Sequence, residues 1–308
     1  MTEIVPPDPN FRLDVQFHAP PDDLQPCFTT IYRMDLAIED GGRLTDFLQP
    51  EWSNLRFFCG EAACAQVYDH RGTRAPKVTK ARFQATGPTA RPVRFDIGSS
   101  VVWGIGLKPL GWARYVGKPA AEAVDLICDG DENPFFSHLA PLCEILCDAD
   151  RKPEDQLADV VAFFRAQEAE TRDDARILAI HEAMIDPHLL SIDDFADAAR
   201  MHKRTLERLC RKHFGFSPRF LLRRQRMMRS LMAYMLADGA SWSRAIDRHY
   251  HDQSHFVREF HGFMGMSPSE YVALPHPVLD AFIAERQRVW GSPAQVLDAP
   301  HQRTGGKT

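Results

Sequence analysis

Residues 206–218 read LERLCRKHFGFSP, and residues 256–268 read FVREFHGFMGMSP. Arg208 answers Arg258, and Gly215-Phe216-Ser217-Pro218 answers Gly265-Met266-Ser267-Pro268, 50 residues later. Two copies are too few for a solenoid, so a duplicated module is the better account. Each copy has one physical logic. Leu206, Leu209, Cys210 and Phe214 fall at the spacing of a buried helical stripe, and Phe256, Phe260, Phe263 and Met264 do the same. Arg204, Glu207, Arg208 and Arg211 then fall on the opposite face of the first helix. Gln253, Ser254, Arg258 and His261 face outward on the second, with Asp252 as its N-cap. Gly215 and Gly265 suit a left-handed residue that ends a helix, and Ser-Pro restarts one with a cap and a proline in its first turn.

Working outward, a short amphipathic helix precedes each copy. Ser191 to Ala199 turns Ile192, Phe195, Ala196 and Ala199 inward, and Ser241 to Arg248 turns in Trp242, Ala245 and Ile246. Arg200-Met201-His202 and His249-Tyr250-His251 join the pairs. Helix, tight turn and a second helix with a polar outer face make a helix-turn-helix. One such pattern is weak evidence, because helical hairpins are common. Two in register, joined by one amphipathic helix from Pro218 to Ala237, are strong evidence. At 1.5 Å per residue that helix spans roughly 30 Å, close to the ~34 Å of one DNA turn.

Charge points the same way. The chain of 308 residues has a net charge of −5 that conceals an asymmetry. Residues 1–170 carry 17 Lys+Arg against 26 Asp+Glu, whereas residues 171–275 carry 16 against 13. From Arg200 to Ser230 there are 11 basic residues and one acid, Glu207. A field of that sign attracts a polyanion. Seven cysteines dispersed along the chain argue against a disulfide framework and for a reducing cytoplasm. The N-terminus lacks the basic and apolar regions of a signal peptide, and no apolar run suits a membrane span.

The N-terminal part reads differently. Residues 1–26 are Pro-rich and read as an arm. Strand-like runs follow at Cys27 to Tyr32, Leu55 to Phe58, Ala81 to Gln84 and Ser100 to Ile105. Asp40-Gly41-Gly42, His70-Arg71-Gly72 and Gly87-Pro88 supply turns between them. An antiparallel sheet or small barrel is expected, with helices near 135–147 and 154–170 whose apolar stripes suit either core packing or a dimer interface. The fold class is therefore α+β in two domains. The divisions are an arm (1–26), a sensor or dimerisation domain (27–170), an all-α tandem helix-turn-helix domain (171–275), and one extra helix with an unfolded tail (276–308).

From about Asp173 to Tyr271 the sequence resembles the AraC/XylS family of bacterial transcription regulators. The resemblance rests on the duplicated Gly-x-Ser-Pro, on Leu206-x-Arg208, on Arg226-Met227 and on the run from Asp252 to Phe260. It departs from the family at Arg200 and His249, where glycine is usual, at the N-cap position His202, and at Arg244 and Arg248, where apolar residues are common. Phe83 to Leu126 is similar to the sensor half of some members. The resemblance places base-reading positions on Arg204, Glu207 and Arg208 of the first unit, and on Gln253, Ser254, Val257 and Arg258 of the second. Arg208 and Arg258 can donate twice to guanine, Gln253 can pair twice with adenine, and Glu207 can accept from cytosine. An ion pair with Arg211 is the equal alternative for Glu207. Lys203, Arg211 and His255 are expected on phosphates. Arg223, Arg224 and Arg229 are read as a solvated face. Double-stranded DNA is the expected partner. A small-molecule effector of unknown identity, a second copy of the chain and RNA polymerase are implied, with no cofactor, no metal, no membrane and no enzymatic activity, in the bacterial cytoplasm at the nucleoid. An alkyl-accepting cysteine protein and a low-specificity DNA binder are the alternatives. His18, His70 and His138 stand isolated, and Cys59 with Cys64, or Cys143 with Cys147, are read as buried hydrophobes ahead of metal or redox sites.

Overall fold

The computed structural model describes residues 10–68, 78, 80–167, 170–237 and 242–301. The turn expected at His70 to Gly72 lies outside the described residues. Among the described residues nine strands come first: β1 (Phe11–His18), β2 (Phe28–Ile38), β3 (Leu44–Leu48), β4 (Ser53–Phe58), β5 (Cys64–Val67), β6 (Phe83–Thr86), β7 (Val93–Ile97), β8 (Ser100–Leu107) and β9 (Ile127–Asp129). They form an antiparallel six-stranded sheet, ordered β1-β2-β8-β4-β6-β9, and a three-stranded sheet, ordered β3-β7-β5. Side chains alternate across the large sheet as the strand period requires. Tyr32, Met34, Leu36, Phe58 and Val102 meet Leu44, Val93, Phe95 and Ile97 of the small sheet. Ile31, Leu55, Phe57, Trp103, Ile105 and Leu107 face the other way, into a core shared with the helices. Gly104 lies opposite Tyr32, and a Cβ there would come within 2.0 Å of the Tyr32 ring.

The helices follow. They are α1 (Pro109–Gly111, running on through a wider turn at Trp112–Val116), α2 (Pro141–Leu146), α3 (Pro153–Arg165), α4 (Asp174–Met184), α5 (Ile192–Ala198) and α6 (Lys203–Leu209, running on through Cys210–Phe214). Then come α7 (Pro218–Met235), α8 (Trp242–Ala245), α9 (Gln253–Met264), α10 (Pro268–Val272) and α11 (Pro277–Trp290). The stripes of α2 and α3 are spent on the core: Leu142, Cys143, Leu146, Val160 and Phe164 are all buried. No helix among the described residues is long and apolar enough to cross a membrane.

Two expectations fail. The stretch read as an arm contributes β1, which pairs with β2 along its whole length. Its side chains alternate half-buried and exposed, a weak apolar signal for an edge strand. The tail read as unfolded from Pro293 is packed as far as Asp298: Val296 and Asp298 are each 1% exposed. The chain returns there to the N-terminal sheets. Asp46 of β3 accepts from the Val278 and Leu279 amides and so caps α11 from 230 residues away, while His276 Nδ1 lies 3.0 Å from the same carboxylate. Phe282 packs edge-on against Phe17 and Tyr32. Arg286 pairs with Asp298 in the interior, and Lys108 Nζ donates to the carbonyls of Gln25, Ala299 and Pro300. These contacts are non-local, and nothing in the local composition announces them.

Candidate DNA interface

The first unit is α5 and α6. Ser191 caps α5 by accepting from the Asp194 amide at 3.0 Å. Leu206, Leu209, Cys210 and Phe214 are fully buried, which fixes the roll of α6. That roll leaves Lys203, Arg204, Arg208 and Arg211 exposed and Glu207 half-buried. Glu207 accepts from Arg211 Nε at 2.8 Å, so the ion pair weighed as its alternative role is formed in the free protein. Lys203 pairs with Asp193 of α5. The turn runs through Arg200, whose φ is +53°, a left-handed value at a residue other than glycine. Gly215 ends the unit at φ +84°, and Ser217 then caps α7. Behind the unit, Asp173 accepts from Lys212 at 3.0 Å and lies 3.1 Å from His213 Nε2. Burial raises the Asp173 carboxyl, but the partners His213 and Lys212 outweigh it and hold the group down at about 2.

The second unit is α8 and α9. Asp252 accepts from the His255 amide at 2.7 Å, the cap expected of it. Phe256, Phe260, Phe263 and Met264 are buried. Gln253, Ser254 and Arg258 stand exposed, with His255 and Val257 half-covered beside them. Gly265 at φ +71° ends α9, and Ser267 with Glu270 forms a capping box on α10.

The linking helix departs from expectation. Arg223 is exposed, as expected, but Arg224 and Arg229 do not share a solvated face with it. Arg223 Nε donates to Glu259 at 2.8 Å, and Arg229 Nε donates to Asp247 at 2.9 Å. Arg224 is fully buried, with its guanidinium 4.1 Å from the centre of the Trp52 ring and 5.2 Å from that of Phe216. Burial pushes its pKa down to about 9. The apolar period of α7 had room for these arginines only because the N-terminal sheets and α9 cover faces that α7 alone would expose.

Sequence reasoning missed Glu259. It is 4% exposed and accepts from Arg223, Arg226 and the Tyr250 hydroxyl, bolting the second unit to α7. Burial raises its pKa, and hydrogen bonds from Arg223, Tyr250 and Arg226 outweigh that and lower it. The available signal was an acid on the buried side of α9, two residues after Val257. Between the units lies an open groove of about 380 Å³, lined by Arg219, Arg223, Arg226, Arg229, His255 and Glu259. The exposed faces of α6 and α9 thus flank a run of cationic side chains.

A helix-turn-helix domain family matches residues 195–273, which takes in both units. This chain therefore carries a helix-turn-helix domain in its second half. No curated protein matches this chain. Among solved structures it is similar to ToxT from Vibrio cholerae, with a TM-score of 0.43 and 14% identity over 85% of this chain and 98% of that one. It is also similar to wild-type ToxT of strain SCE256 with an unsaturated fatty acid bound, with a TM-score of 0.41 and 15% identity over 86% and 96% of the two chains.

Cys27 and Cys128 offer little to the alkyl-accepting alternative. Burial pushes the Cys27 thiol up to about 11 and the Cys128 thiol up to about 12, away from the thiolate that such chemistry needs. Neither Cys59 with Cys64 nor Cys143 with Cys147 is joined; Cys59 is bonded to Cys147 instead. Among the described residues no group of three or more His, Cys, Asp or Glu is placed to hold a metal.

Proposed function

We propose that this chain is a transcription regulator of the AraC/XylS type that reads DNA with Arg204, Glu207 and Arg208 of α6 and with Gln253, Ser254, Val257 and Arg258 of α9. What supports this reading is that equivalent buried stripes leave the named side chains of α6 and α9 exposed or half-covered, on the two helices that α7 joins in sequence. At 1.5 Å per residue α7 is about 27 Å long, which suits helices entering successive major grooves. Lys203, Arg211 and His255 flank those faces and are assigned to phosphates, where they set register without reading sequence. Arg211 must leave Glu207 for that role. The exchange is cheap, since an exposed helical pair is worth only about 0.3–0.5 kcal/mol.

A small-molecule effector is part of the same proposal. Two adjoining cavities of about 60 and 50 Å³ lie between the sheets and α11, and share Tyr32, Leu48, Arg56, Val278 and Phe282 as walls. The first is also lined by Met228 of α7, so its occupant would touch the helix that joins the two DNA-reading units. RNA polymerase and a second copy of the chain are partners implied by the family.

Selection of bound sites from a random duplex library tests the DNA reading. The expected result is one motif of two boxes about one turn apart, lost in an Arg208→Ala, Arg258→Ala variant. Recovery of unrelated sequences with equal affinity would favour a low-specificity DNA binder.

A further inference from the structure

One covalent bond in the N-terminal part lies outside the candidate DNA interface. Cys59, directly after β4, is bonded to Cys147, directly after α2, across 88 residues. Of the free cysteines, Cys64 and Cys128 are half-buried, whereas Cys27, Cys143 and Cys210 are buried, and burial raises the thiol pKa of each of these three. Both bonded cysteines are partly exposed and line an open pocket of about 270 Å³ together with Arg33, Trp103, Asp148 and Arg151. A small thiol can therefore reach either sulfur. Arg33 and Arg151 are themselves paired with Asp35 and Asp159, so access rather than charge is what the pocket offers an incoming thiol.

The position of the bond gives it leverage. Gln156 of α3, itself buried, donates to the carbonyls of Leu146 and Asp148 on either side of Cys147. Thus α3 grips the segment that the bond fastens to the large sheet. Further along α3, Phe164 packs on Phe28 and Tyr115. Beside Tyr115, Arg114 pairs with Asp174 at 2.6 Å, and the neighbouring Asp173 holds Lys212 and His213 at the end of the first recognition helix.

We propose that Cys59 and Cys147 form a reversible thiol–disulfide site that ties the α2–α3 pair to the sheet when oxidised and releases it when reduced. Two equivalents of a small thiol, of the glutathione class, carry out the reduction. The first thiolate attacks one sulfur, the S–S bond breaks, and the other cysteine departs as a thiolate and takes a proton. The second thiol resolves the mixed disulfide. The products are two cysteine thiols and one oxidised thiol, which is the oxidant for the reverse step.

The test equilibrates the full chain in glutathione buffers of graded ratio, quenches with acid, alkylates, and counts free thiols by intact mass and peptide mapping. The expected result is that two alkylation sites, Cys59 and Cys147, disappear together within the range of those buffers. Hydrogen exchange in residues 141–165 should be faster in the reduced protein, and a Cys59→Ser, Cys147→Ser variant should match the reduced protein in every buffer. DNA affinity should differ a few-fold between the two states and not at all in that variant. A bond that stays closed, or stays open, across all the buffers overturns the proposal, as does a different pairing such as Cys143 with Cys147. Equal exchange of residues 141–165 in both states overturns the release of the helix pair, and equal DNA affinity overturns its link to DNA.

Discussion

Arg208 is exposed on α6 above a stripe that is wholly buried, so removing its side chain leaves the core intact. Arg208→Ala is expected to cost about 1–3 kcal/mol of DNA binding and to relax preference at one base position. Lys203→Ala should weaken all sequences alike and reduce the salt dependence. A binding titration across single-base variants of the selected site separates the two, and a uniform loss for Arg208→Ala would remove its base-reading role. A second residue fixes the acid limit of the fold. His181 is 1% exposed, and burial, with Lys108 and Arg224 adding to it, holds its pKa at about 3 against the usual 6.5. The unfolded chain therefore takes a proton below pH 6.5 that the native chain refuses, and stability is lost as pH falls from 6.5 toward about 3. Asp173, held at about 2, adds a further loss from its usual 3.8 down to that value. Urea midpoints between pH 7 and 4 should decline in the natural chain and stay flatter in His181→Leu. An equal decline in both would assign the acid sensitivity elsewhere.

At the scale of elements, legibility divided along local and non-local lines. Both helix-turn-helix units could be read because caps, stripes and terminal glycines lie within a few residues of what they control: Ser217 caps Phe220, Asp252 caps His255, and Gly215 and Gly265 both adopt positive φ. Strands β1, β3, β5 and β7 were missed, because each is short or half-exposed and forms only by pairing with a distant partner, as Leu44 does with Ile97. The face of α7 was misjudged for the same reason: Arg224 reads as solvated until Trp52 is seen lying on it. One local departure carries a prediction. Arg200 holds φ +53° in the first turn, a conformation that costs a side-chain-bearing residue about 1–2 kcal/mol and glycine almost nothing. Part of that gain is offset by the greater freedom of glycine in the unfolded chain. Arg200→Gly should then raise stability by up to about 1 kcal/mol, seen as a higher melting temperature with unchanged base preference. A lower melting temperature would mean that the Arg200 side chain makes a compensating contact.

At the scale of the whole molecule, residues 276–298 join the helix-turn-helix half to the sheets. Gln225 of α7 donates to the Val296 carbonyl at 2.6 Å, and Gln295 Nε2 donates to Glu51 at 3.0 Å. The segment thus lies between α7 and the β-sheets, and its hold depends on groups that water cannot reach. Arg286 is 4% exposed; its Nη2 donates to Asp298 at 2.5 Å, while its Nε and Nη1 have no hydrogen-bond partner among the described residues. Asp298 is accordingly the acceptor that balances a buried cation. Asp298→Ala should cost about 3–5 kcal/mol, because it leaves the guanidinium buried and unpaired rather than because the pair itself is strongly stabilising. That distinction predicts non-additivity. An Arg286→Met, Asp298→Ala variant removes both charges and fills much of the space with apolar atoms, so it should recover most of the loss. Urea denaturation of the four proteins in the cycle measures this directly. If Asp298→Ala costs less than about 1 kcal/mol, the value of a surface pair, the segment is not held in the interior. If the double variant is as unstable as the single one, the loss comes from Asp298 packing and not from the stranded charge.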